Sequence, residues 1–288
     1  MNFWQHGFPD VKWLNPGKYI EQFVDYMVIN WKPFLYAVRD ALAACLLKIE
    51  KFMGWFPWWV FILIIFALAV WLINVKTGVL FSAMLFVIGA MGYWQSMIYT
   101  LAIVIAAVIL TIIIGILTGI LISQNRFLNR FLQPIVDAMQ TTPSFVYLLP
   151  AVMLFGLGKV PAVLATFIYI LSPVVRLTNL GIRQVPEATI MAADAFGSSS
   201  AQKLFKVQLP QALPTIAAGI NQTTLMSLSM VVVTSMIGAK GLGLDILTAI
   251  SFIDIEDAAE AGISVIFVAV ILDRLTQGVA RKIQQHWV

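Results

Sequence analysis

The chain has 288 residues, 60% hydrophobic and only 11% charged, with a mean hydropathy of +0.91 and a net charge of +4. Ordinary soluble domains carry about a quarter of their residues charged, so the composition excludes that class and indicates an integral membrane protein. The single cysteine, Cys45, excludes an intrachain disulfide and a cysteine-based metal cluster.

The first 20 residues lack a basic segment followed by an apolar core, so no cleavable signal peptide is expected. Residues 19–52 then repeat apolar side chains at helical spacing, from Ile20, Phe23 and Met27 to Leu42 and Ile49, with charged residues between them. That pattern predicts an amphipathic helix kinked or restarted at Pro33. It suits either the membrane interface or packing against the bundle or a sister subunit.

Charge-free gaps locate the spans, since a crossing helix needs roughly 20 largely apolar residues. Seven are expected, at about 57–74, 78–94, 97–122, 139–157, 160–177, 214–237 and 258–275. Gly92–Ser96 supplies the turn between the second and third, and the fourth, fifth and seventh are short or interrupted by Gly and Pro. The chain thus reads as an all-α, polytopic transmembrane bundle in three parts. Residues 1–56 are amphipathic, 57–94 hold two accessory helices, and 95–282 form the core.

Arg126, Arg130, Arg176, Arg183, Lys203, Lys206, Arg274, Arg281 and Lys282 fall on one side if the spans alternate, and Lys76 joins them. The other side has Lys159 and Lys240 against Asp245, Asp254, Glu256, Asp257 and Glu260. Basic residues are retained in the cytoplasm, so the C-terminus is expected inside and the N-terminus outside. The sequence pI of 9.2 is then a matter of topology rather than of nucleic acid.

Between the fifth and sixth spans lies a polar loop. Glu187 follows Pro186 and opens a run of helix formers through Ala195, with the acid well placed in the first turn. Gly197 permits a bend, and Ser198 or Ser199 can cap a second short helix through Phe205. Pro210 and Pro214 are expected to stop that helix before the next span. Ala192, Ala193 and Ala195 allow close approach by another surface, although a stray interfacial loop helix gives the same pattern.

The remaining chemistry is sparse. No Walker phosphate loop exists, and Ala239-Lys-Gly-Leu-Gly243 has the wrong glycine spacing and reads as a turn. His6 and His286 lie at the termini and make neither a triad nor a metal site. The span centres carry no charge, against a proton- or sodium-coupled carrier, and Asp273–Arg274 reads as a local ion pair near the interface. Asn221, Thr224 and Ser227 share a helical face and suit interhelical hydrogen bonding or solute lining. Phe145 and Tyr147, between Pro143 and Pro150, suit a gate bend or plain packing.

The loop resembles the signature of permease subunits of ATP-binding-cassette importers. That signature is Glu-Ala-Ala, three residues, Gly, nine residues, then Ile-x-Leu-Pro. Here it reads Met191-Ala192-Ala193, Gly197 and Val207-Gln208-Leu209-Pro210, with Met191 where the family has Glu. Gln140–Pro150, Ala218–Gln222, Leu228–Val232, Gly241–Gly243 and Leu272–Gln277 look like the glycine-betaine/proline-betaine branch.

The resemblance implies a type I importer permease with a MetI-like core in a bacterial cell membrane. It also implies that loop 187–210 is a coupling helix, with Glu187, Ala192, Ala193, Asp194, Gly197, Ser198, Leu209 and Pro210 at the contact with a cytoplasmic ATPase. ATP and magnesium would sit on that partner and no cofactor on this chain. A second permease copy, a substrate-binding protein outside and the bilayer complete the implied partners. Choline, carnitine or proline are alternative cargoes, and an ATP-independent carrier is the alternative class.

Overall fold

The computed structural model describes residues 16–285, so His6 and His286 lie outside the described residues. Among the described residues every regular element is a helix. The amphipathic stretch forms α1 (Pro16–Asn30) and α2 (Lys32–Trp55). It restarts at the expected proline, since Pro33 lacks an N–H for the preceding turn but fits the first turn of a new helix. The later half of α2 packs on the bundle through Leu46 and Met53. By contrast α1 exposes Tyr19, Phe23 and Tyr26.

Next, α3 (Trp58–Leu72) leaves α2 at 97°. After it, α4 (Val75–Ala90) starts on an Asn74 cap whose side chain accepts from the Thr77 amide at 2.8 Å. With 15 and 16 residues, α3 and α4 are each about 22–24 Å long at 1.5 Å per residue. That falls short of the roughly 30 Å hydrocarbon layer. Both are shorter than the sequence suggested because Asn74 and the 91–93 turn take residues from their ends.

The turn before α5 (Trp94–Gln124) covers only residues 91–93, with Gly92 at φ 85°; Trp94, Gln95 and Ser96 already belong to the helix. The expected fourth span does not exist as one helix. An amphipathic α6 (Arg126–Thr141), capped by Asn125, runs first. The chain then bends by 112° into a tight turn (Ser144–Tyr147) and α7 (Leu148–Phe155). The break precedes Pro143, which disfavours helical geometry at Thr142.

The fifth span is an unbroken α8 (Lys159–Arg183) despite Pro173 inside it. Thr223, from a neighbouring helix, donates to the Ile170 carbonyl at 3.1 Å in the turn before that proline. A neighbour thereby supplies polar contact where proline loosens the helix. The loop folds as α9 (Glu187–Ala195) and α10 (Ser200–Lys203), followed by a wide π turn (Leu204–Gln208) that runs directly into α11 (Leu209–Ser235). Pro210 and Pro214 therefore do not stop the helix. The π turn gives room for the ring of Pro210, which sits in the first turn of α11.

A turn with Gly238 and Gly241 at positive φ leads to α12 (Leu242–Phe252), a short apolar helix absent from the sequence reading. The last helix, α13 (Ile255–Gln285), is continuous through Gly262 and Gly278. Among the described residues, Trp94–Gln124, Lys159–Arg183 and Ser200–Ser235 are long and apolar enough to cross a membrane unaided.

The core is α8 held between α5 and α11. Gly115 and Gly119 of α5 form a small-xxx-small stripe against α8, where an added Cβ at Gly119 would lie 2.6 Å from the Cβ of Thr178. Within lipid, helices associate by such close packing rather than by a hydrophobic drive. On the other side of α8, a Cβ at Gly181 would meet Thr215 and Ala212 of α11 at 3.0 and 3.2 Å.

Candidate functional site

The elbow between α8 and α11 is built from local bonds. Pro186 precedes α9 and Glu187 lies in its first turn, where an acid favours the helix dipole. The helix ends in a two-bond closure: the Ser198 amide donates to the Ala193 carbonyl at 3.0 Å, and the Gly197 amide to Asp194 at 2.9 Å. Gly197 sits at φ 73°, the left-handed geometry this closure demands.

Ser199, not Ser198, caps α10. Its hydroxyl accepts from the Gln202 amide at 3.3 Å, and the Gln202 side chain accepts from the Ser199 amide at 2.8 Å. Ser198 is unavailable as a cap because its backbone already closes α9. An Asp194–Lys203 ion pair at 2.6 Å ties the two short helices together.

Nothing in α9 or α10 is buried. Ala192 and Asp194 are exposed and Ala193 half-buried. Phe196 (90% exposed), Met191 and Phe205 also project outward. The outward position of Phe196 and Phe205 was not anticipated from the sequence, where their signal is an aromatic side chain in an otherwise polar loop. Leu209 and Leu204 instead pack onto Ile182, Ala212 and Ile216 beneath the elbow. The elbow is thus rooted at one end and open on its face. Pro210, half-buried, belongs to that root.

The proposed lining residues separate. Thr224 and Ser227 are buried and donate to carbonyls of their own helix, at Ile220 (2.9 Å) and Thr224 (2.6 Å). Asn221 joins a polar knot with α13: its amide donates to Asp273 at 3.2 Å and its carbonyl accepts from Thr276. The expected Asp273–Arg274 pair gives way to this knot, because successive residues on a helix point apart. Gln277, one turn on, completes it at 2.7 Å from Asp273.

Phe145 is exposed, whereas Tyr147 is buried and donates to the Met139 carbonyl at 2.7 Å, across the bend after α6. A second polar seam, missed in the sequence, joins α6 to α8. The Asn179 amide donates to Asn129 at 2.9 Å and to Gln133 at 3.2 Å, and Arg176 donates to Gln140 at 3.0 Å. Its signal was the spacing of Asn129, Gln133 and Gln140 along one face of 126–141.

The end opposite the elbow is acidic and knitted by long-range bonds. The Leu242 amide donates to Thr100 at 2.9 Å, and the Gly158 amide to the Ile237 carbonyl at 2.9 Å. Lys159 pairs with Glu50 at 2.6 Å and lies 4.0 Å from the ring centre of Tyr99. A cavity of about 360 Å³ there is lined by Tyr93, Asp245, Asp254 and Asp257 among others. Burial, and then the Asp257 carboxylate 3.4 Å away, push the Tyr93 hydroxyl up to about 12.

A membrane bundle with a glycine-packed core, whose one end carries a solvent-facing helical elbow rooted in two long helices, has the architecture of a transporter's membrane subunit. Over residues 111–285 the sequence matches the binding-protein-dependent transport system inner membrane components, and the chain belongs to that family.

It is 44% identical over 264 residues to the glycine betaine transport system permease protein OpuAB of Bacillus subtilis, covering 91% of this chain and 93% of that protein. It is equally similar to the glycine betaine/proline betaine permease ProW of Escherichia coli, at 44% identity over 91% of this chain and 74% of that protein. The glycine betaine/carnitine permease GbuB of Listeria monocytogenes is 38% identical over 95% and 98% of the two chains. Among solved structures, the inward-facing MetNI methionine ABC transporter shares the fold, with a TM-score of 0.57 at 21% identity over 66% of this chain and 93% of that one.

Proposed function

We propose that the chain is the membrane-spanning permease of an ATP-driven importer for glycine betaine or a related quaternary-ammonium solute, serving osmoprotection. The observation that carries this reading is the 44% identity, over nine-tenths of the chain, to proteins named as glycine betaine permeases. In this reading the permease works as a homodimer. Each copy's elbow docks on a cytoplasmic ATPase that holds ATP and magnesium, and a separate binding protein delivers solute at the opposite end.

The elbow end faces the cytoplasm and the N-terminus lies outside, in keeping with Arg126, Arg130, Arg183, Lys203 and Lys206 at the first end and Asp245, Asp254 and Asp257 at the second. Exposed Met191, Phe196 and Phe205 form the docking face, with Glu187, Ala192, Ala193 and Asp194 beside them. ATP binding draws the ATPases together, the elbows move with them, and the long α10–α11 run carries that motion into the bundle.

Uptake of labelled glycine betaine into proteoliposomes tests the assignment. Accumulation is expected only with ATP, the ATPase and the binding protein all present, and choline or proline should compete poorly. Uphill uptake by the purified chain alone would overturn it. Preference for carnitine would move the solute assignment toward the Listeria relative's named cargo.

A further inference from the structure

We propose that the groove between α1, the start of α2 and the end of α7 binds an anionic phospholipid, its phosphate on Lys32 and Arg39 and its acyl chain along Ile29, Leu154 and Phe155. The groove encloses about 490 Å³ and is lined by these residues together with Tyr36. Lys32 and Arg39 are seven residues apart, two helical turns, so they point to the same side of α2 about 10 Å from each other. The Tyr36 ring lies between them, 5.7 Å from the lysine nitrogen and 4.8 Å from the guanidinium. It holds both cations over the groove by cation–π attraction.

The residues lining the groove carry the two charges of Lys32 and Arg39 and no acid; Asp25 of α1, one turn before Val28 and Ile29, lies outside that lining. Asp40 takes one guanidinium donor of Arg39, the Nε, at 3.2 Å in an exposed pair, and an arginine has four more. The α7 face contributes no acid, since residues 144–155 contain none. Nearby Glu50 is already paired with Lys159. A cationic rim above an apolar floor fits an amphiphile, whereas a free anion would use only the rim.

Position favours a lipid as well. The apolar α3 meets α2 at 97°, so where α3 enters the bilayer α2 lies along the membrane surface. Exposed Tyr19, Phe23 and Tyr26 on α1 suit the headgroup boundary. The inference requires only that α3 enters the bilayer and holds whichever solute the bundle carries.

Native mass spectrometry of the full chain, exchanged in detergent with phosphatidylglycerol or phosphatidylcholine of matched acyl chains, tests it. The wild type should retain phosphatidylglycerol preferentially. Lys32→Gln with Arg39→Gln should lower its retention at least about tenfold, as expected for lost charge-assisted contacts. Lys32→Arg should preserve it. Leu154→Trp, which narrows the apolar floor without touching charge, should also lower retention.

Wild-type retention in a monodisperse double variant would overturn the proposal. So would complete displacement of the lipid by equimolar glycerol phosphate, which would mark a site for soluble anions. If the double variant aggregates, the exposed Lys32→Gln alone decides: a several-fold loss supports the lipid site and no change overturns it.

Discussion

At the elbow, Gly197 has no atom within 4 Å of where a Cβ would sit, and its value lies in its positive φ. At the opposite end, Gly243 is enclosed, with the Val231 carbonyl oxygen 2.5 Å from a would-be Cβ, and Gly241 is pressed against Thr100. One glycine shapes a surface by local geometry; the others let distant helices touch. The elbow's form is therefore written in one consecutive stretch, residues 186–203, and leaves its face open. The far end is a product of tertiary packing and has little freedom to change without the bundle changing with it.

Substitutions sharpen this contrast. Gly243→Val should have the largest effect, costing about 3 kcal/mol because its side chain meets backbone that cannot yield. The yield of monodisperse protein and its thermal unfolding in detergent would measure the loss. Gly197→Val should cost only about 1–2 kcal/mol of backbone strain and leave insertion and yield intact. ATP-driven uptake should nevertheless fall at least about tenfold, the consequence of ~1.4 kcal/mol lost at docking. Equal damage to folding by both substitutions would break the comparison, and normal uptake by the Gly197 variant would remove the elbow from the mechanism.

A smaller effect is expected at the Glu50–Lys159 pair, whose side chains are 12% and 26% exposed. Glu50→Gln strands the lysine and should cost about 1–2 kcal/mol, between exposed and buried ion pairs. Adding Lys159→Gln should recover part of that loss in a thermal-unfolding cycle.

The smallest effect concerns pH. Tyr93 is raised from 10.0 to about 12, so the fold favours the neutral phenol. Its stabilising contribution is complete below pH 10 and is lost as pH rises through about 12. Asp257→Asn removes the second cause and leaves burial, so an ultraviolet titration should find the midpoint lower but still above 10.

Much of the elbow was legible because its signals are short-range. Glu187 after Pro186, Gly197 as the bend and a serine cap all follow from one or two turns of helix. The choice of Ser199 over Ser198 was not legible, since it depends on which amide closes α9. The long core helices were also visible as charge-free runs. The Gly115–Gly119 stripe could have been read from its spacing, but its partner on α8 could not. The polar residues Asn221, Thr224 and Ser227 look alike in sequence, yet only Asn221 reaches another helix. Their separation depends on how α11 is rotated against α13.

The sequence by itself determined that the chain lives in a membrane, where its long helices run, and that a glycine bend divides the elbow. Hydropathy, charge and local backbone preference act over a few turns and need no distant contact. Tertiary structure alone decided the 112° turn that the chain takes after Pro143, that Pro210 continues a helix through a π turn, and that α12 folds beneath Thr100. In each case a short segment has more than one conformation of similar energy. Contacts with residues far along the chain choose among them.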